Sequence, residues 1–239
     1  EDWKRAQIEE WKLTDPNSIA ARTHGVAAVG SGRIYPIDED FVVVPQQKMP
    51  AFWKKAYGID PGWNNTAVIW IAQDPNTMVK YIYSEYKHGK VVYPIHVEGI
   101  KARGEWIPGA CDPHEAPKPR DDGTSTIDYL NGLGLNLTPA KGEPTALRAM
   151  IHSMFESGAL KIIDSCQELL NEIRLYRYDL NDPNRPAKDQ NDHLCDAMMY
   201  CIAKFDEIAT SYAEIEEEMS GYKNRQPNID NERNSITGY

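Results

Sequence analysis

The sequence predicts a mixed α/β fold: three antiparallel strands, then helices alternating with parallel strands, with helices on both faces of one sheet. Three observations lead there. Residues 56–86 hold apolar runs of strand length, broken by Pro-Gly and Asn-Asn turn signals. From residue 91 onward, helical and strand-like periods alternate. Hydrophobic residues make up 41% of the 239, enough to fill one core around such a sheet.

Residues 1–50 read as a lead-in. Glu1–Leu13 is a short, charged, helix-like piece carrying Trp3 and Trp11; Pro16 ends it, and a glycine-rich stretch from Gly25 to Gly32 follows. Two large aromatics on so short a piece suit a surface packed against something N-terminal, and equally suit a local contact. Ala56–Asp60 and Thr66–Ala72 form a hairpin, and Met78–Tyr86 is a third strand, with Val79, Tyr81 and Tyr83 alternating against Lys80, Ile82 and Ser84. Val91–Lys101 has near-helical spacing with Pro94 in its first turn. Trp106–Asp112 is a fourth strand, small and apolar, which Pro113 stops.

The second half alternates. Thr124–Asn131 is a short helix, Leu135–Thr138 a strand, and Thr145–Glu156 a helix with Leu147, Met150, Ile151 and Met154 on one face. Leu160–Ile163 is the last strand, and Cys166–Tyr176 is a helix carrying Leu169, Leu170 and Ile173. A polar loop, 179–191, precedes a long helix from about Asp192 to beyond Ala209, which Glu214, Glu216, Glu217 and Glu218 continue. Asn224–Tyr239 has almost nothing to bury and is expected to be disordered. It reads as a docking segment that folds on a partner, or as a solvated terminus. The plan is thus a lead-in at 1–50, a domain at 51–210, and an acidic helix end with a polar tail at 211–239. Three antiparallel strands followed by alternating helices and strands is the ribonuclease H-like order, which constrains architecture more than chemistry.

A formal net charge of −10 argues against a protein that coats nucleic acid by bulk charge. It leaves room for an enzyme whose carboxylates bind cations. Cys111, Cys166, Cys195 and Cys201 form no Cys-x-x-Cys pair and are expected as reduced core thiols. A zinc site from Cys111, His114, His193 and Cys195 is disfavoured, because residues 193 and 195 point to different sides of a helix. No apolar run approaches the roughly 18 residues that span a bilayer, and no signal peptide opens the chain; a soluble, cytosolic protein is expected.

Three places carry chemistry. In Gly58-Ile59-Asp60-Pro61-Gly62, Asp60 closes a strand and the chain turns away at once, leaving its carboxylate open to a cation; equally, Asp60 could cap the Pro-Gly bend. Asp112 ends a buried strand, where a carboxylate without a cation, an arginine or backbone donors is costly; His114 and Glu115 stand beside it. In Asp192-His193-Leu194-Cys195-Asp196, helical spacing crowds Asp192, His193 and Asp196 onto one face. Asp192 also suits a helix-dipole role, and His193 a plain hydrogen-bonding role. Hard oxygen ligands from two strands and a helix suit Mg²⁺ or Mn²⁺. Two such ions, about 3.5–4 Å apart, can activate water and stabilise a departing 3′ oxygen.

Gly-Ile-Asp-Pro-Gly on the first strand, an aspartate ending the fourth, and Asp-His-x-x-Asp-Ala-x-x-Tyr on the last helix resemble the nuclease domain of the large terminase subunits of tailed double-stranded-DNA phages. Gly32-Arg33-Ile34-Tyr35-Pro36 resembles the stretch joining the ATPase and nuclease halves, so the likeness covers roughly Gly32 to Phe205. The resemblance implies Asp60, Asp112 and Asp196 as ligands of two Mg²⁺ or Mn²⁺ ions, with His193 accessory. It implies endonuclease cleavage of concatemeric viral DNA with little sequence preference. The implied partners are double-stranded DNA, the portal protein, the small terminase subunit and the ATPase domain, and the implied place is the host cytoplasm at the procapsid portal. No membrane is involved. The chain holds no Gly-x-x-x-x-Gly-Lys-Ser/Thr loop, so the motor is expected to lie outside it.

Candidate phosphate contacts are Lys101, Arg103, Lys118, Arg120, Arg174, Arg177 and Lys188, with Lys188 nearest the last-helix motif and 114–124 a loop beside Asp112. Three rivals stand. A Holliday-junction resolvase shares the opening pentapeptide but leaves the lead-in and acidic extension unexplained. An actin-like ATPase needs two lobes. A portal-docking module would use the carboxylates structurally.

Overall fold

The computed structural model describes residues 32–115, 123–179, 182 and 185–223. The expected N-terminal helix with Trp3 and Trp11, the polar tail, and the segment holding Lys118 and Arg120 lie outside the described residues.

The elements run α1 (Glu39–Val42), β1 (Val43–Val44), β2 (Lys54–Asp60), β3 (Thr66–Gln73), β4 (Lys80–His88), α2 (Tyr93–Lys101), β5 (Gly109–Cys111), α3 (Thr126–Gly132), β6 (Leu137–Pro139), α4 (Pro144–Ser157), β7 (Leu160–Ile163), α5 (Gln167–Leu175), α6 (His193–Ile208) and α7 (Tyr212–Lys223). Seven strands form one mixed sheet in the order β1-β7-β4-β3-β2-β5-β6. β2, β3 and β4 pair antiparallel, and β7 joins β4, β5 joins β2, and β6 joins β5 in parallel. The expected ribonuclease H-like mixed α/β architecture is the one observed.

Helices cover both faces because the central strands are apolar on both. Every residue of β3 is buried, the pattern of a strand sandwiched between two helical layers. Ala56, Ala67, Ile69 and Ile71 face a core closed by Ile151 and Phe155 of α4, Leu169 and Ile173 of α5, and Ala197, Met198 and Cys201 of α6. Tyr57, Ile59, Val68 and Trp70 face the opposite core, closed by Val97 and Ile100 of α2 and Ile127 and Leu130 of α3. Successive residues of β2 thus alternate between the two cores.

Four expected boundaries shift, each for a physical reason. The fourth strand is only Gly109–Cys111: Pro108 has no N–H for a ladder, and its carbonyl receives the Tyr57 N–H at 3.0 Å instead. Asp112 therefore stands just past the strand, not in it. The third strand begins at Lys80, because Asp74 binds Asn76 N and Thr77 Oγ1 in a turn that leaves Met78 at φ +61°. A bulge opposite Trp70 and Ile71 shifts its register, so the expected alternation holds through Tyr81, Ile82 and Tyr83 and breaks between Tyr83 and Ser84. The long helix stops at Ile208; Thr210 pairs with Lys55 at the start of β2, and the acidic stretch forms the separate helix α7. Part of the expected lead-in is built into the fold: Ile34, Tyr35 and Val42 are buried and β1 pairs with β7.

Candidate active site

Asp60 is the last residue of β2, and Ile59 sits in register with Cys111 of β5. Asp60 and Asp112 are therefore next-door residues at the carboxyl ends of adjacent parallel strands. Ile59 and Cys111 point into the core beneath α2 and α3, so alternation turns the two aspartates toward α6.

Gly58 brings α6 down onto them. A Cβ at this position would lie 1.9 Å from the Ala197 carbonyl oxygen and 2.8 Å from Cys201 N. Only a glycine lets the helix backbone rest on the strand here. Asp196 and Tyr200 flank the contact point, so this approach carries them to Asp60. Asp196 lies in the first turn of α6.

The electrostatics show how tightly the carboxylates converge. Burial pushes the Asp196 carboxyl up to about 8, and the charges of Asp192 and Asp60 add to the push. Its side chain makes no hydrogen bond or ion pair among the described residues. The Tyr200 phenol is pushed up by burial and then by Asp196, Asp112 and Asp60, so it lies in the field of all three. Two carboxylates have histidine partners. His193 Nδ1 stands 2.8 Å from Asp60 Oδ2, and that bond raises the pKa of His193. His114 approaches Asp112 Oδ1 through Nδ1 at 2.9 Å and donates its backbone N–H at 2.8 Å.

The structure thus gathers Asp60, Asp192, His193 and Asp196, with Asp112 just past the end of the neighbouring strand. Among the described residues, no three His, Cys, Asp or Glu side chains stand at metal-ligating spacing. The donor set still fits a hard divalent cation. It is all carboxylate oxygen at the reacting end, and its innermost member makes no hydrogen bond or ion pair among the described residues. All four cysteines are free of disulfides and buried, as expected for reduced core thiols.

The rigidity of α6 comes from residues that the sequence reading missed. Asp192 holds the N-cap position of α6 but makes no capping bond. Glu172 of α5 caps the helix instead, accepting from Leu194 N at 2.8 Å and Cys195 N at 3.2 Å. Lys87 of β4 binds Glu172 Oε1 and Asn191 Oδ1, each at 2.5 Å. Arg148 of α4 is buried, its Nε has no hydrogen-bond partner among the described residues, and its charge opposes the upward shift of Asp196. A signal for both was present: Glu172 sits between Leu169 and Ile173, and Arg148 lies on the stripe of Ile151 and Phe155, so each is a charge on an apolar face.

Of the candidate phosphate contacts, Lys188 is exposed in the turn before α6. Arg177 is half-buried, its backbone held by the Gln190 amide. Arg103 is committed elsewhere: it binds Ser84, Gly99 O and Glu85 O and stacks on Trp70. Arg174 is held by both oxygens of Glu39. These two are structural cations, not free ones.

A family model described as "Terminase RNaseH-like domain" matches residues 57–205. The large terminase subunit of Escherichia phage T5 is 24% identical over 156 residues, which is 61% of this chain and 34% of that subunit. The chain thus matches about a third of the length of this curated relative. Among solved structures, the nuclease domain of the P22 large terminase superposes with a TM-score of 0.69 at 21% identity, covering 78% of this chain and 98% of that one. The large terminase nuclease of thermophilic phage G20c, solved with bound magnesium, superposes with a TM-score of 0.52 at 16% identity, covering 74% and 98%.

Proposed function

The chain belongs to the terminase RNase H-like domain family, and from that premise we propose that it is an endodeoxyribonuclease that cuts concatemeric viral double-stranded DNA during genome packaging. One observation carries the reading. Asp196, half-buried and without a hydrogen bond or ion pair among the described residues, is set by the Gly58 contact beside Asp60 and Asp192. Such a charge is costly unless a cation arrives.

Asp60, Asp112 and Asp196 would hold two Mg²⁺ or Mn²⁺ ions. Bound there, the ions would supply an activated water and stabilise the departing 3′ oxygen. His193 orients the Asp60 carboxylate through its 2.8 Å bond. The Glu172–Lys87 pair holds the first turn of α6 so that Asp196 keeps its place. Lys188 and Arg177, with Lys118 and Arg120, take backbone phosphates, which gives grip without sequence readout. The working partners are then duplex DNA, the portal, the small terminase subunit and an ATPase domain, and the place of action is the host cytoplasm at the procapsid portal.

The test is plasmid cutting with Mg²⁺, Mn²⁺ or EDTA, beside Asp60→Ala and Asp196→Ala. Metal-dependent, sequence-indifferent cutting that both substitutions abolish is expected. Cutting that survives both would place the site elsewhere. No cutting, with no metal effect on melting, would favour a docking role.

A further inference from the structure

The hairpin turn that follows Asp60 presents an apolar surface at the same end of the sheet as the carboxylates. Trp63 is 63% exposed, although an indole is among the costliest side chains to leave in water. The exposure is not slack. Thr66, fully buried, donates through Oγ1 to Gly62 O at 3.0 Å, and Lys90 N donates to Trp63 O at 2.7 Å. Gly89 packs so closely that a Cβ there would lie 1.8 Å from Asn64 O. The turn is therefore pinned to the end of β4 with its tryptophan facing outward. Beside it opens a cleft of about 230 Å³ lined by Trp63, Val92, Tyr93 and Tyr129, and Val92 is itself 54% exposed.

Charge says what covers this corner. In a chain of net charge −10, residues 61–73 carry no charge, and of the basic residues in Tyr86–Val97, Lys87 is paired with Glu172 and His96 is buried, which leaves His88 and Lys90 to the surface. An apolar surface flanked by the exposed basic side chains of His88 and Lys90 suits a polyanion with hydrophobic faces. Position agrees: Trp63 lies three positions after Asp60, a reach of at most roughly 11 Å. That equals about three base-pair steps, at about 3.4 Å per phosphate along one strand. A duplex with a phosphate at Asp60 lays its flanking nucleotides within reach of the indole.

We propose that the Trp63 corner is a DNA-gripping surface, on which the indole packs against the sugar or base edge of nucleotides flanking the cut phosphate while Lys90 takes a neighbouring phosphate. The proposal rests on the nuclease reading of the adjacent carboxylates. Its contribution is apolar at Trp63 and ionic at Lys90, and the two leave different marks. Loss of a stacking or packing contact weakens binding at every salt concentration, whereas loss of one phosphate contact lowers the salt slope by about one.

The experiment is fluorescence anisotropy of a labelled 30-base-pair duplex with the full chain in Ca²⁺, over a series of salt concentrations, for wild type, Trp63→Ala, Trp63→Phe and Lys90→Ala. Trp63→Ala should weaken binding roughly fivefold or more with an unchanged salt slope, and Trp63→Phe should restore most of it. Lys90→Ala should lower the slope by about one. Equal affinity for wild type and Trp63→Ala overturns the proposal and would assign the corner to a protein partner; a wild type that binds no duplex overturns it too. Cutting in Mn²⁺ by the same preparation judges the nuclease reading separately. A chain that grips DNA through Trp63 but never cuts it would sink that reading and keep this surface.

Discussion

Asp196 is held in its acid form over a range where an ordinary aspartate is ionised, and the sign of the consequence follows from linkage. Its carboxyl is pushed up to about 8, whereas an unfolded aspartate titrates near about 3.9. Between those values the folded chain binds the extra proton, so stability is withdrawn as pH rises through that window and no more is lost above it. The raised pKa of His193 acts in the same direction, so the aspartate has to be isolated by substitution. In EDTA, the melting temperature of wild type should fall more steeply from pH 5 to pH 8 than that of Asp196→Asn. The difference should amount to at most about 1.4 kcal/mol per pH unit for one proton. Parallel pH profiles for the two proteins would mean that Asp196 is not strained by its surroundings.

At the scale of elements, the question is how a helix that begins with a free carboxylate stays fixed. Glu172 caps α6 from another helix while Lys87 neutralises Glu172, and both partners are nearly buried. Burial still raises the Glu172 carboxyl, so Lys87 does not fully offset the desolvation. Glu172→Ala should destabilise the chain by about 3 kcal/mol or more in urea unfolding, because it strands a buried ammonium. Lys87→Met on that background should recover part of the loss; simple additivity would show that the two do not act as a pair. This cap also marks where sequence reading ran out. β7 was legible to the residue and α5 nearly so, because their apolar periods are set by their own residues. The cap of α6, the shortening of β5 at Pro108 and the end of α6 at Ile208 depend on partners 22 to 155 positions away or on a single missing N–H, and no local period records them. The aspartates stood out in the sequence because each lies at the end or the start of an element: Asp60 closes β2, Asp112 follows β5, and Asp192 and Asp196 open α6. Glu172 and Arg148 show themselves only once the stripes they interrupt are seen to face a core.

At the scale of the whole molecule, folding has placed several carboxylates together in a chain already carrying −10, and that arrangement is destabilising until a cation neutralises it. Binding of Mg²⁺ or Mn²⁺ to the folded chain alone should raise stability by about 2.7 kcal/mol at a hundred times the dissociation constant. For a domain of this size that is about 5 °C or more in melting temperature. The gain should be larger at pH 8 than at pH 6, because at the lower pH the metal has to displace the proton on Asp196. Asp60→Asn and Asp196→Asn should lose most of the response. Monovalent salt at matched ionic strength controls for general screening of the net charge, which acts on both variants alike. If that salt reproduces the effect of Mg²⁺, or if the variants respond as wild type does, the carboxylates are relieved by diffuse counterions, and the metal centre is wrong even though the fold that carries it is right.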